Sequence, residues 1–213
     1  MNIPCKLCEK RRARRHCPGT EGEICPQCCG SGRENTIACP STCEYLKEAR
    51  FHEQPQPVDE SQIPNKDVRL SESFLRENEA LVFALALALK RAMDTGDAVD
   101  FDAREALEAQ IRTYRTLESG LIYETRPANP YAAAIQHGLQ NAVDELRQGL
   151  AREQGMHTLR DATVLGVLVF LQRLEMQYNN GRRRGKAFRD FLASYLPEPA
   201  ISANASPISG VAL

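Results

Sequence analysis

From Ser71 to Leu196 apolar side chains return every three or four residues, the spacing that lines one face of an α-helix. Ser71 or Ser73 caps the first predicted helix, which reaches Met93 and has Ala80 to Leu89 as its middle. That middle is apolar on every side, so the helix is expected to be buried all round and to form the centre of its domain. Asp102 with Glu105 opens a second helix, striped by Leu107, Ile111, Tyr114 and Leu117 or Leu121 and stopped near Gly120. Asn129 and Pro130 open a third, with Ile135, Leu139, Val143, Leu146 and Leu150 in register, ending before Gly155. Thr158 with Asp161 begins a fourth, carrying Leu165, Leu168, Leu171 and Leu174 as far as Asn179-Asn180-Gly181. A short fifth, Lys186 to Leu196, presents Phe188, Phe191, Leu192 and Tyr195 before Pro197 stops it. The pattern predicts a mainly α chain whose residues 71–196 form an all-α bundle of four to five helices.

On either side the periodicity fails. Residues 52–70 carry prolines at 55, 57 and 64 and read as an extended linker. Residues 197–213 are small and Ser/Ala/Pro-rich, with the composition of a disordered tail. Residues 1–51 hold all eight cysteines: Cys5, Cys8, Cys17, Cys25, Cys28, Cys29, Cys39 and Cys43. So short a stretch buries too little apolar surface to fold unaided and needs a disulfide or metal framework. Eight thiols are the ligand requirement of two tetrahedral, all-cysteine zinc sites. Cys5-x2-Cys8 and Cys25-x2-Cys28 are knuckle pairs that turn both sulfurs onto one metal, with Gly30 placed for a tight turn. Ser41 and Glu44 form a capping box that predicts a helix through Tyr45 and Leu46, with Cys43 in its first turn. One partition is Cys5, Cys8, Cys25 and Cys28 in one site and Cys17, Cys29, Cys39 and Cys43 in the other. Exchanging Cys28 with Cys29 satisfies the spacing nearly as well, and His16 beside Cys17 is a reserve ligand. An iron–sulfur cluster is the rival occupant, although the run lacks the C-x2-C-x2-C spacing of bacterial ferredoxins.

The order Cys5-x2-Cys8, Cys17-Pro18, Ile24-Cys25-x3-Cys29 and a closing pair four apart resembles HIT- and MYND-type zinc fingers of treble-clef or cross-brace type. The resemblance implies two interleaved zinc sites and a protein-interaction role. Thr20 stands where a HIT finger has cysteine and Cys39 where both families have histidine, with Cys28 making good the missing ligand. The fuller run Cys5-x2-Cys8, Cys25-Pro26-x-Cys28-Cys29-Gly30, Cys39-Pro40-Ser41-x-Cys43-x-Tyr45-Leu46 is similar to a group of uncharacterised bacterial proteins, and that likeness implies no activity.

Charge adds a second candidate chemistry. The whole chain carries a formal net charge of -1, which excludes chain-wide attraction to nucleic acid or membrane. Lys10, Arg11, Arg12, Arg14 and Arg15 form the densest positive run, and Arg182, Arg183, Arg184 and Lys186 a second. Either can hold phosphate, which makes a nucleic-acid binder the alternative to a protein-interaction module. The first run also lies where it can offset thiolate charge: residues 1–51 sum to +3 (nine Lys/Arg, six Asp/Glu), and eight thiolates with two Zn²⁺ bring this to -1. A redox- or metal-responsive switch is the third reading. A site of enzymatic type is not expected, because no phosphate loop, nucleophile elbow or H-E-x-x-H occurs. The ten-residue apolar run Ala80–Leu89 is too short to span a bilayer, and clustered free thiols fit a cytoplasmic setting.

Overall fold

The computed structural model describes residues 3–55, 57, 59–154 and 159–196. Thr158, the predicted cap, and the tail 197–213 lie outside the described residues. The chain is mainly helical, with a small cysteine-rich head followed by a helical body.

The head begins with the Cys5–Cys8 knuckle, held by Cys5 N–H to Arg11 C=O (2.8 Å) and Glu9 N–H to Cys5 C=O (2.8 Å). A two-stranded antiparallel hairpin follows, β1 (Arg15–Cys17) and β2 (Gly22–Ile24), in the register Arg15↔Ile24 and Cys17↔Gly22. Next comes a short helix absent from the sequence expectation, α1 (Pro26–Gly32). Cys25 is its N-cap and Pro26 its first residue, where a missing N–H costs nothing. Gly30 therefore sits inside a helix rather than in a positive-φ turn; the left-handed positions fall on Glu9, Glu21 and Glu34. Helix α2 (Glu44–His52) also starts later than predicted. Cys43 is its N-cap residue and not part of its first turn. Ser41 does not cap, because its hydroxyl is taken by Asp190 and Arg189 of the body. Ile24 and Ile37 are buried among Cys5, Cys17, Cys25 and Cys29, Tyr45 packs against them, and Leu46 of α2 is buried nearby as the head's third large aliphatic side chain.

Six helices of the body are described: α3 (Glu72–Glu77), α4 (Glu79–Asp94), α5 (Asp100–Glu118), α6 (Pro130–Gln154), α7 (Asp161–Tyr178) and α8 (Ala187–Tyr195). Ser71 caps α3 as predicted, its hydroxyl accepting from Phe74 N–H at 3.1 Å. The predicted long first helix is broken, however. The Asn78 amide donates to Phe74 C=O at 2.8 Å, and its backbone leaves the helical region (φ -112°, ψ 21°). Phe74 then packs on Gly166 of α7, where an added Cβ would lie 2.5 Å from the ring. Asp102 does not open α5 with Glu105. The helix starts at Asp100, and the Asp102 carboxylate accepts from Val99 N–H (2.8 Å). The predicted stops hold at Gly120 (φ 79°) and Gly181 (φ 71°), and Asn129 caps α6 through Tyr131 N–H (2.9 Å).

The core runs between α4, α5, α6 and α7 and is closed at one end by α8. Leu85, Leu89, Leu107, Tyr114, Ile135, Leu139, Leu168 and Leu171 are fully buried in it. Helix α4 is not buried all round. Leu81, Leu85, Leu89 and Met93 face the core, but Phe83 is 52 % exposed and Leu87 only half-buried. Part of the linker also belongs to the body. Val68 and Leu70 pack on its core, and Arg115 holds Asn65 and Asp67. No described helix is long and apolar enough to cross a membrane.

Candidate metal centre

The first turn of α1 meets the N-terminal knuckle so that the sulfurs of Cys5, Cys8, Cys25 and Cys28 all lie within 4.8 Å of one another. Two sulfurs already accept backbone hydrogen bonds, from Cys25 N–H to Cys5 (3.2 Å) and from Cys28 N–H to Cys25 (3.4 Å). Such bonds favour thiolate, the form that binds metal. Burial pushes the Cys5 thiol up, but N–H groups of Cys25, Cys8 and Leu7 outweigh it and hold it below the ordinary value. The N–H groups of Lys10 and Arg11 lower Cys8, and that of Cys28 lowers Cys25. Cys28 is the exception. Arg11 draws it down, yet its bond with Cys25, burial and the sulfurs of Cys8 and Cys5 leave it pushed up to about 11. Three sulfurs lean towards thiolate, and the fourth is penalised by the charge of its neighbours. A cation held between them removes that penalty. Four converging sulfurs free of disulfide are therefore a donor set that fits a metal ion.

Arg11 completes this arrangement. Its Nε donates to Cys25 Sγ at 3.2 Å, one terminal nitrogen to Cys28 Sγ at 3.5 Å and the other to Gln27 Oε1 at 2.5 Å. The guanidinium is held more firmly in its charged form by Cys28 and then Cys25. Arg15 plays a parallel part, donating to Cys29 Sγ at 3.4 Å while lying 4.4 Å from the Tyr45 ring centre. Two members of the N-terminal basic run are thus spent on sulfur, whereas Lys10, Arg12 and Arg14 remain exposed. His16 points across the hairpin to Glu23 Oε1 (3.1 Å) and not to the sulfurs.

The other four cysteines come into one neighbourhood without meeting at ligand distance. Among the described residues, only the first set has all its sulfurs within 4.8 Å. Cys17, Cys29 and Cys39 share the head's core with the first set. Burial raises the Cys39 thiol against the pull of a backbone hydrogen bond from Glu34, and the charges of Glu34, Cys17 and Cys43 add to the rise.

The second basic cluster is docked on the head, through a residue that no sequence pattern marks. Glu34 is fully buried. Its carboxylate accepts from Arg50 (2.5 Å), Asn180 Nδ2 (3.0 Å) and Lys186 N–H (3.1 Å), and its carbonyl from Arg184 N–H (2.7 Å). Arg182 reaches Glu53 at 3.3 Å, and Lys186 Nζ reaches Asp97 at 3.9 Å. Arg183 N–H points at Asn35 Oδ1 (3.4 Å). Around this centre Ser41 donates to Asp190 (3.0 Å), Arg189 to Ser41 (2.9 Å) and Arg50 to Asp190 (3.3 Å). Beside the seam lies a groove of about 520 Å³ lined by Phe51, Tyr178, Phe191 and Pro55. No known family model, curated protein or solved structure matches this chain.

Proposed function

We propose that the head is a structural zinc finger and that, fixed to the helical body, it presents a surface for another protein. The observation that carries this reading is the closed four-sulfur set of Cys5, Cys8, Cys25 and Cys28. Four thiolates fill a tetrahedral Zn²⁺ and leave no position for water or substrate, so the metal here shapes the chain and performs no chemistry. A second zinc at Cys17, Cys29, Cys39 and Cys43 accounts for the remaining thiols, and the likeness to two-zinc interaction fingers favours it. Support for a protein partner comes from Phe51, 87 % exposed at the rim of the aromatic groove beside the seam. Free thiols in this number fit a reducing, cytoplasmic setting. The nucleic-acid alternative retains the exposed side chains of Lys10, Arg12, Arg14, Arg183 and Arg184 but loses the force of Arg11, Arg15, Arg182 and Lys186, whose charges are engaged within the chain.

Elemental analysis of the purified chain tests the metal, with two zinc per chain expected; one metal, or iron with sulfide, defeats the two-zinc reading. The partner is tested by affinity capture of the full chain in its metal-loaded and chelated forms. A salt-resistant protein ligand, lost on chelation and weakened by Phe51→Ser, is expected. RNA or DNA retained in its place, and released steeply by salt, would favour the alternative.

A further inference from the structure

The middle of helix α4, Ala80 to Leu89, is apolar on every side, yet the bundle covers only one side of it. On the uncovered side, α4 and α6 flank a groove of about 710 Å³ whose walls include Leu87, Ala88, Ala142, Leu146 and Leu150. Phe83, four residues before Leu87 on the same helix, is 52 % exposed. Two exposed charges mark the walls, Arg91 on α4 and Glu145 on α6, and among the described residues neither is in an ion pair within 4 Å. Their levels along the groove follow from the packing. Gly138 lies against Ala92 and Gly96 against Tyr131, so the helices run antiparallel. Arg91 is then at the level of Gly138, and Glu145 lies nearly two turns of α6 further on, towards the start of α4. Ala88 and Ala142 stand midway between the two charges, where small side chains permit close approach.

From this placement we infer that the groove is covered by a second copy of the same chain. A two-fold axis passing between Ala88 and Ala142, across the helices, sets the copies face to face and antiparallel. It sets α4 over α4 and α6 over α6 and brings Arg91 of each copy to the level of Glu145 of the other, one helix spacing away across the groove, so the opposite charges attract twice over across the interface. Such self-complementarity is what an isologous interface requires. The same docking covers Leu87 and Phe83, whose exposure to water is otherwise unopposed. Head and seam lie outside the interface and stay available to a partner.

Sedimentation equilibrium on the full chain tests this. A mass twice the 23.8 kDa of one chain is expected at micromolar concentration, and a single-chain mass at 100 times that concentration overturns the proposal. Leu87→Glu is expected to give a monomer with its helical circular dichroism unchanged. Arg91→Glu and Glu145→Arg, both on exposed positions, are each expected to weaken the dimer about tenfold or more by setting like charges opposite one another. The double variant R91E/E145R restores it. A dimer indifferent to Leu87→Glu, or a double variant no better than the singles, places the interface elsewhere and overturns the proposal. A monomer whose groove amides are protected from exchange only while residues 197–213 are present shows the tail as occupant, and overturns it too.

Discussion

The head and the body are held by different forces, and the difference can be put in magnitudes. The body buries large apolar side chains throughout α4 to α8, each contributing about 1.5–3 kcal/mol. The head has Ile24 and Ile37 among its cysteines and Leu46 of α2 as buried aliphatic side chains. Ordering its backbone costs about 1–2 kcal/mol per residue. Three such side chains cannot offset some fifty residues of that cost, and the four converging sulfurs could supply a further cross-link by holding a metal ion. The seam between the two is different again: it is centred on the Glu34 carboxylate and its polar partners. A cysteine-rich unit with little apolar core is thereby fastened to a self-sufficient one by charge.

The largest break in this comparison is Cys25→Ser, which removes one of the four converging sulfurs while leaving a hydroxyl that still caps α1. Structural zinc in finger peptides contributes about 10–16 kcal/mol. The variant is therefore expected to lose metal and the exchange protection of residues 3–52, with the amides of α4 to α7 still protected. Chelation of the natural chain should reproduce this, and a head that stays protected without metal would show that its core suffices. Next in size is Glu34→Ala. It leaves Arg50, mostly buried, without its shortest partner and frees the Asn180 side-chain amide and the backbone N–H of Lys186, while the bond from Arg184 N–H to the residue 34 carbonyl remains. Breaking a buried pair of this kind costs about 3–5 kcal/mol. The cost falls on the seam, so one cooperative thermal transition should separate into two. An unaltered single transition would mean that the seam carries no coupling.

How far the residues alone disclosed this arrangement depended on the range of each interaction. The helical body was legible because its signals are local: the 3.6-residue stripe, Asn129-Pro130 at a start, Gly120 and Gly181 at stops. The first four-sulfur set was legible because the knuckle spacing brings each pair together before any tertiary contact forms. What escaped were residues diverted by distant partners. Ser41 has the spacing of a cap, but Asp190 and Arg189 compete for its hydroxyl from the far end of the chain. Glu34, in a Gly-Arg-Glu-Asn turn, reads as an exposed loop acid, and its burial is decided by a body loop some 150 residues away. The basic residues showed their number but not their use, since Arg11 and Arg15 are directed by sulfurs and Arg182 by acids of the head. The uncovered side of α4 was hidden for the same reason, because periodicity describes one helix and not the number of its neighbours.

The smallest expected effect separates head from body by the sign of their response to pH. Asp100 is fully buried beneath the first turn of α8, where its carboxylate accepts from Phe188 N–H (3.0 Å) and Arg189 N–H (3.2 Å). Burial pushes it up to about 7 against the pull of those two N–H groups, and the charge of Glu175 adds to the rise. The folded body therefore holds the Asp100 proton more tightly than the unfolded chain, whose aspartate titrates near 4. Its contribution is complete below that value and is lost as pH rises from about 4 to 7, with a slope of at most about 1.4 kcal/mol per pH unit. Asp100→Asn cannot ionise, so urea midpoints of the body should vary less with pH across this window; an unchanged slope would mean that Asp100 does not titrate there. The head should move the opposite way, because acid protonates its thiolates and releases the metal. In the natural chain, falling pH should loosen residues 3–52 while the bundle tightens around Asp100. Exchange measured at pH 5 and pH 7.5 on the same sample reads both signs at once, and a shared sign would refute the division of the molecule into a metal-held head and an apolar-held body.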